Sequence, residues 1–498
     1  VSGTSWPGRV WALLLVMCGA LFLDALDISM VGVALPSIGG DLGMTPTSLQ
    51  WIVSGYVLGY GGLLLLGGRA ADLFGRRRMF LAAVTVFGVA SVISAMLSDP
   101  TAIIALRFIK GVSAGFTVPA GMSIITTTFA EGPARNKALS IYTVAGASGF
   151  SLGLVFGGLL TEIGWRATLL FPGPVALLIV LAGWRLIPRT TGTDRARGAL
   201  DLPGALTSTG ALLALVLGVV QAPHRGWTDP LVLVLLVGAA ALAVGFVLIE
   251  RRHRQPLVRL GILQSRPLVH ANLVGAIMFG SYAAFQFLVT LYLQDALGWS
   301  PLQMALGFLP AGILVALSAG AMDRVLDRFP TQLLIAIGLT AFAVGYALFL
   351  SVRPGQNYLS FLLPTMLLLG LGFALCFPSI NAQATAGVVD DEQGLASGLV
   401  NTCVQVGGAI MMAVVTAIIG TGTATSGQLL PGMGTAIVVI TVLTTAGLIG
   451  TVWVAAKLLR SRKAASVAAA PAGATGAPGE FTADENATDA PVAARVTD

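Results

Sequence analysis

Charge is what this chain has least of. Only 10% of its 498 residues are charged while 56% are hydrophobic, and the mean hydropathy is +0.87. Soluble domains average about 25% charged residues, so a soluble globular protein is excluded and a polytopic membrane protein is expected. Cysteine is nearly absent. Cys18, Cys376 and Cys403 all lie in apolar runs, where they read as small apolar residues, and neither a disulfide framework nor a metal site is expected. Three scattered histidines, His224, His253 and His270, make no ligand spacing. Lysine is rare and arginine common, which with the Ala, Gly, Val and Leu content suggests a GC-rich bacterial coding sequence. No G-x-x-x-x-G-K-[ST] pattern occurs, so ATP is not the implied energy source. No catalytic constellation occurs either, and no enzyme is expected. The net charge of +6 is not a nucleic-acid footprint, because most basic residues lie in short links between apolar runs.

Those runs are what the chain does have. A span needs roughly 20 apolar residues, and candidates fall near 10–36, 50–68, 79–97, 101–128, 137–160, 166–187, 202–221, 230–249, 268–293, 302–321, 331–352, 358–384, 394–420 and 434–457. The fold class is therefore all-α and polytopic, with about fourteen transmembrane helices. Placing the N-terminus inside puts Arg9, Arg69, Arg76 to Arg78, Arg135, Lys137, Arg251, Arg252, Arg324, Arg328 and Lys457 on the cytoplasmic side. Only Arg166, Arg225 and Arg353 fall outside. That bias sets the orientation, with both termini cytoplasmic in a bacterial inner (plasma) membrane. Five parts follow: a cytoplasmic N-terminus (1–9), a six-helix bundle (10–187), a linker with two extra transmembrane helices (188–267), a second six-helix bundle (268–457) and a cytoplasmic tail (458–498). The Ala-, Pro- and Gly-rich tail lacks the apolar patterning to fold and is expected to be disordered.

Motifs recur at an offset of eight helices. Gly68…Asp72 follows the second span and Gly320…Asp323 the tenth. Arg135…Ser140 opens the fifth and Gly394…Gly398 the thirteenth. Two pseudo-symmetric six-helix halves separated by two extra helices produce that offset, and duplicated halves around a midplane site are a transporter architecture.

Four of these stretches carry a resemblance. Gly68, Asp72, Gly75, Arg76, Arg77 and Arg78 lie in a stretch similar to the G-x-L-A-D-R-x-G-R-K loop motif of the major facilitator superfamily, from which Ala70 and Leu73 depart. Leu26-Asp27-Ile28-Ser29…Val33-Ala34-Leu35-Pro36 resembles the first-helix signature of proton-coupled drug antiporters. Arg107…Gly111…Gly115 resembles the fourth-helix basic motif, with Lys110 in place of the usual glutamine. Gly149…Gly153…Gly157-Gly158 resembles the fifth-helix antiporter motif, with Leu154 where proline is usual. The chain thus looks like the fourteen-helix drug:proton antiporter family. The resemblance implies efflux of antibiotics or drugs by alternating access, driven by the proton gradient with no cofactor. It also implies that the Gly68–Arg78 stretch meets the opposite half beside the thirteenth helix. There Asp390, Asp391 and Glu392 form the one acidic run of any internal link, so pairing with Arg76, Arg77 or Arg78 would latch a cytoplasmic gate.

Charge inside the membrane costs roughly 2.5–3.5 kcal/mol per residue on insertion scales. Only Asp24, Asp27, Arg107 and Lys110 lie deep in spans. The first and fourth helices run antiparallel, and the rise of about 1.5 Å per residue sets the two acids and two bases at similar depths. An Asp27–Arg107 pair and an Asp24–Lys110 pair are expected. Burial favours a protonated carboxyl and a nearby cation favours the carboxylate, so such a cluster can couple protons to transport; it can also simply hold two helices together. Tyr56, Tyr282, Gln286, Asn381, Asn401 and Gln405 are the cavity candidates, each equally readable as an interhelical hydrogen bond. A mainly apolar cavity suits a small hydrophobic or amphiphilic toxic compound. The expected partners are that compound, protons and the bilayer, not nucleic acid, and the expected state is monomeric. A proton-coupled importer of a small metabolite and a non-transporting membrane sensor are the competing readings.

Overall fold

The computed structural model describes residues 6–130, 132–188, 201–253, 258–352, 357–388, 393–420 and 429–468. Fourteen helices follow one another: α1 (Gly8–Leu42), α2 (Pro46–Phe74), α3 (Arg76–Met96), α4 (Pro100–Thr128), α5 (Pro133–Ile163) and α6 (Trp165–Leu186, interrupted at Phe171). Then come α7 (Leu202–Arg225), α8 (Pro230–Arg252), α9 (Arg266–Leu291), α10 (Pro301–Arg328), α11 (Thr331–Phe349), α12 (Tyr358–Thr385), α13 (Gln393–Ile419) and α14 (Met433–Ala468). A 3₁₀ turn (Leu260–Gln264) precedes α9 and a π turn (Tyr292–Ala296) extends it. Among the described residues thirteen of these are long and apolar enough to cross a membrane. The remaining one, α2, has 29 residues. Residues 1–454 form one compact unit; of the other, 455–498, the described part is helical to Ala468. The tail expected from 458 thus begins as helix, and 469–498 lie outside the described residues.

Four even-numbered helices, α2, α4, α8 and α10, start with a repeated device. Thr45, Asp99, Asp229 and Ser300 each stand directly before a proline, and each side chain accepts from a backbone N–H of the first turn. The proline fits the first helical position, where no N–H is needed, and the polar cap satisfies donors that the helix leaves free. These caps all lie at the end of the bundle opposite the arginine-rich links. Tight turns there keep polar backbone out of lipid.

Helices outrun the apolar spans. α1 continues past Pro36 and ends at Gly43, in the left-handed conformation with φ 63°. α2 continues through Gly68 to Phe74, so most of the Gly68–Arg78 stretch is helix rather than link. The reversal is confined to Gly75, whose φ of 97° suits glycine alone. Apolar length measures lipid thickness, whereas backbone hydrogen bonding carries a helix on into the interface.

Packing repeats at the eight-helix offset. In the first half α1 packs on α5, α2 on α4, and α3 on α4; in the second, α9 packs on α13, α10 on α12, and α11 on α12. Two seams join the halves, α5 with α10 and α13 with α2, and the offset relates one to the other. Small residues permit this closeness. A Cβ on Gly149 would lie 2.4 Å from the Phe22 carbonyl, and one on Gly153 would lie 2.0 Å from Ser29 Oγ. A Cβ on Gly157 would lie 2.8 Å from Met30 Cα. Gly407 does the same work in the second half, 2.3 Å from the Ala276 carbonyl. Gly158 faces the other half, with Ala305 Cβ at 2.8 Å, while Leu154 is buried in the apolar core.

Gly153→Ala forces α1 and α5 apart and is expected to cost about 1–3 kcal/mol, read as a lower thermal unfolding midpoint of the purified full chain in detergent. Gly238→Ala on α8, where nothing lies within 4 Å of the new methyl, leaves the midpoint unchanged or raised. Equal midpoints for the two variants would show that the α1–α5 contact yields.

Candidate functional site

Asp27 sits in the middle of α1, fully buried, between two cations from α4. Arg107 Nη1 donates to Asp27 Oδ2, and Lys110 Nζ donates to Oδ1 at 2.5 Å. Arg107 and Lys110 are one turn apart, so both reach the same side of α4. Arg107 is fixed further: its Nε donates to the Ile52 carbonyl of α2 at 3.0 Å, and its guanidinium lies 4.5 Å from the centre of the Tyr56 ring. Lys110 Nζ lies 4.6 Å from the Phe87 ring centre of α3. Four helices thus converge on one ion cluster. Bonds on both carboxylate oxygens and an aromatic face on each cation are what allow three charges to stand away from water.

The expected Asp27–Arg107 pair is formed. The expected Asp24–Lys110 pair is not, because Lys110 goes to Asp27 instead. Asp24 lies one turn nearer the arginine-rich end, buried, with its Oδ2 lacking a hydrogen-bond partner. The lysine stem is long enough to reach either acid, and it takes Asp27.

A cleft between the halves begins next to this cluster. From the first half Ile28, Ser29, Val53, Ser54 and Phe150 line it; from the second, Phe279, Tyr282, Gln286, Thr290, Gln405 and Met412. Among the described residues no charged side chain lines it. Tyr282 stands in an aromatic wall, 5.5 Å from Phe373 and 6.2 Å from Phe150 between ring centres. Three of the expected cavity residues, Tyr282, Gln286 and Gln405, therefore line the cleft. The other three do not. Tyr56 packs under Arg107, and the Asn381 and Asn401 amides donate to the Phe377 and Ser397 carbonyls of their own helices. Ser54 and Thr290 were not singled out from the sequence. The only signal was a polar residue in an apolar run, which hydroxyls give too often to be selective.

Among the described residues, three contacts join the halves at the end away from the arginines. Gln294 Nε2 donates to the Val33 carbonyl at 2.9 Å, the Leu302 N–H to Glu162 Oε1 at 3.4 Å, and Gly158 packs on Leu302 and Ala305. Within the first half, Arg166 and the Trp165 indole both bond Asp41, pinning α6 to the end of α1. At the other end Arg77 donates to the Trp184 carbonyl of α6 at 2.5 Å and lies over the Trp184 ring. The acidic run Asp390, Asp391 and Glu392, and the Asp72 side chain, lie outside the described residues.

The Major Facilitator Superfamily model matches residues 17–412. The chain belongs to that superfamily. A puromycin resistance protein of Streptomyces alboniger is 42% identical over 82% of this chain and 81% of its own length. A cephamycin export protein of Amycolatopsis lactamdurans is 36% identical over 85% and 88%. Among solved structures a POT family transporter aligns with a TM-score of 0.66 over 91% of this chain and 98% of its own, at 15% identity, a likeness of fold alone. This superfamily member is thus a multi-pass membrane protein whose first-helix acid and fourth-helix arginine form its central ion cluster.

Removing one partner of a buried ion pair leaves the other charge uncompensated, at roughly 3–5 kcal/mol. Asp27→Asn exposes two cations to that cost and should lower the unfolding midpoint sharply. Adding Lys110→Met to Asp27→Asn should restore part of it. If the double variant unfolds no later than the single one, Lys110 does not depend on Asp27.

Proposed function

We propose that this chain exports small hydrophobic or amphiphilic toxic compounds from a bacterial cell, using the inward flow of protons and no cofactor or catalytic chemistry. The observation that carries the reading is the junction of the uncharged cleft between the halves with the buried ion cluster. Ile28 and Ser29 line the cleft immediately after Asp27, and Val53 and Ser54 line it immediately after Ile52, which holds Arg107. Any change of charge at the cluster therefore acts on the backbone that forms the binding surface. The names of the relatives, resistance to puromycin and export of cephamycin, support export as the direction.

The arginine-rich links set the cytoplasmic side, and both termini lie there. The end joined at Gly158, Leu302 and Gln294 then faces outward. Alternating access follows by rocking one six-helix half on the other, parting the α5–α10 contacts at Gly158 and Leu302. The cleft binds its substrate by apolar area, with Gln286, Gln405, Ser54 and Thr290 as the few polar groups that orient it. A monomer is sufficient, because both halves of the cleft come from one chain.

Inside-out vesicles test this, with puromycin as the probe. A pH gradient acid inside should drive puromycin uptake, and a protonophore should abolish it. Gln286→Ala should raise the half-saturating puromycin concentration by about two- to tenfold, the worth of one hydrogen bond. Uptake that ignores the protonophore, or no flux of puromycin, would sink the reading.

A further inference from the structure

The cluster holds more positive than negative charge. Asp27 is shared by Arg107 and Lys110, so two cations face one carboxylate. The compensating charge is within one turn, on Asp24. Its side chain is only 5% exposed, and among the described residues its Oδ2 has no hydrogen-bond partner and it takes part in no ion pair. The ionisable groups near enough to feel it come from three helices besides its own. They are Lys110 on α4, Tyr56 and Tyr60 on α2, Tyr142 on α5, and Asp27 on α1. Among these Lys110 is the single cation, and it is already taken by Asp27.

The two acids are therefore unequal. For Asp27 to accept a proton, Arg107 and Lys110 must first be stripped of their counter-charge in a buried site. Asp24 can be protonated without breaking any hydrogen bond or ion pair. It also lies nearer the arginine-rich end than Asp27 by three residues, about 4.5 Å of helix.

We propose that Asp24 is the carboxyl that takes up and releases the transported proton, while Asp27 stays paired and serves to position Arg107 and Lys110. One O–H bond forms on Asp24 from water on the outer side, and the same bond breaks to water on the cytoplasmic side; nothing is oxidised or reduced. The cluster then alternates between neutral and singly positive, with the three-charge core unbroken. This inference rests on the proton-driven reading above.

Infrared difference spectra of the detergent-purified full chain, recorded across a pH titration, follow a protonated carboxyl by its C=O stretch and need no substrate. A titrating buried-carboxyl band is expected in the unmodified protein. It should be lost in Asp24→Asn and return with a shifted midpoint in Asp24→Glu. Survival of the band in Asp24→Asn, or no such band in the unmodified protein, overturns the assignment. In proteoliposomes with puromycin, Asp24→Asn should lose accumulation driven by a pH gradient, at least tenfold, yet keep exchange of labelled for unlabelled puromycin. Accumulation preserved in Asp24→Asn also overturns it. Absence of all puromycin flux in the unmodified protein would count against the transport reading and leave the infrared result standing.

Discussion

A charge in the middle of a bilayer must find a partner or stay out. The whole interior of this protein is arranged around one case in which three charges stay in. Asp27 brings α1 to α4 through Arg107 and Lys110, Arg107 brings α2 through the Ile52 carbonyl, and Lys110 reaches the Phe87 ring of α3. Apolar contacts between helices discriminate weakly in lipid, because the alternative contact is equally apolar. Charge does discriminate. The register of these four helices against one another is set where it cannot slip without stranding a charge. The cleft begins at the next residues along α1 and α2, so its first wall is as fixed as the cluster.

The second constraint is steric. Gly149, Gly153 and Gly157 bring α1 and α5 into backbone contact, and Gly280 and Gly407 do so for α9 and α13. Ion pairing orders one half, and the second half has no counterpart to it among the cleft residues. There aromatic contacts around Tyr282 and hydrogen bonds such as Thr444 to Ser281 hold the helices. One half is thus electrostatically committed and the other adaptable. Of the polar side chains that line the cleft, Gln286, Thr290 and Gln405 come from the adaptable half, and Ser29 and Ser54 from the other.

Much of this was legible in the residues. The count of helices, their repeat at an offset of eight and the Asp27–Arg107 pair follow from span length, loop chemistry and the cost of intramembrane charge. The partner of Lys110 did not follow. Asp24 and Asp27 differ in depth by less than a lysine stem can span, so depth alone could not choose between them. The structure gives Lys110 to Asp27. Among polar candidates the error had a similar origin. Asn381 and Asn401 satisfy themselves four residues back on their own helices, an option open to any helical amide. Sequence spacing cannot say which amides take that option and which, like Gln286 and Gln405, turn into the cleft.

The two inserted helices had no derivable role, and their placement supplies one. α7 packs against both α2 and α13, the seam between the halves. Its apolar contacts reach both sides, and one hydrogen bond goes to the first half. Val216 and Val220 share one apolar cluster with Val57 and Leu58 of α2 and with Ala409 and Ala413 of α13, while Thr209 donates its hydroxyl proton to the Gly62 carbonyl of α2 at 2.8 Å. A hydrogen bond in an apolar setting is directional and costly to leave unmade, whereas a surface of alanine methyls against valine can slide at little cost. The insertion is accordingly packed on both halves, with its one directional bond to the first. It covers the α2–α13 seam without locking it, which the α5–α10 seam matches by the close contact at Gly158. The two seams related by the repeat are thus held by different means, an asymmetry that the duplicated bundles alone would not produce.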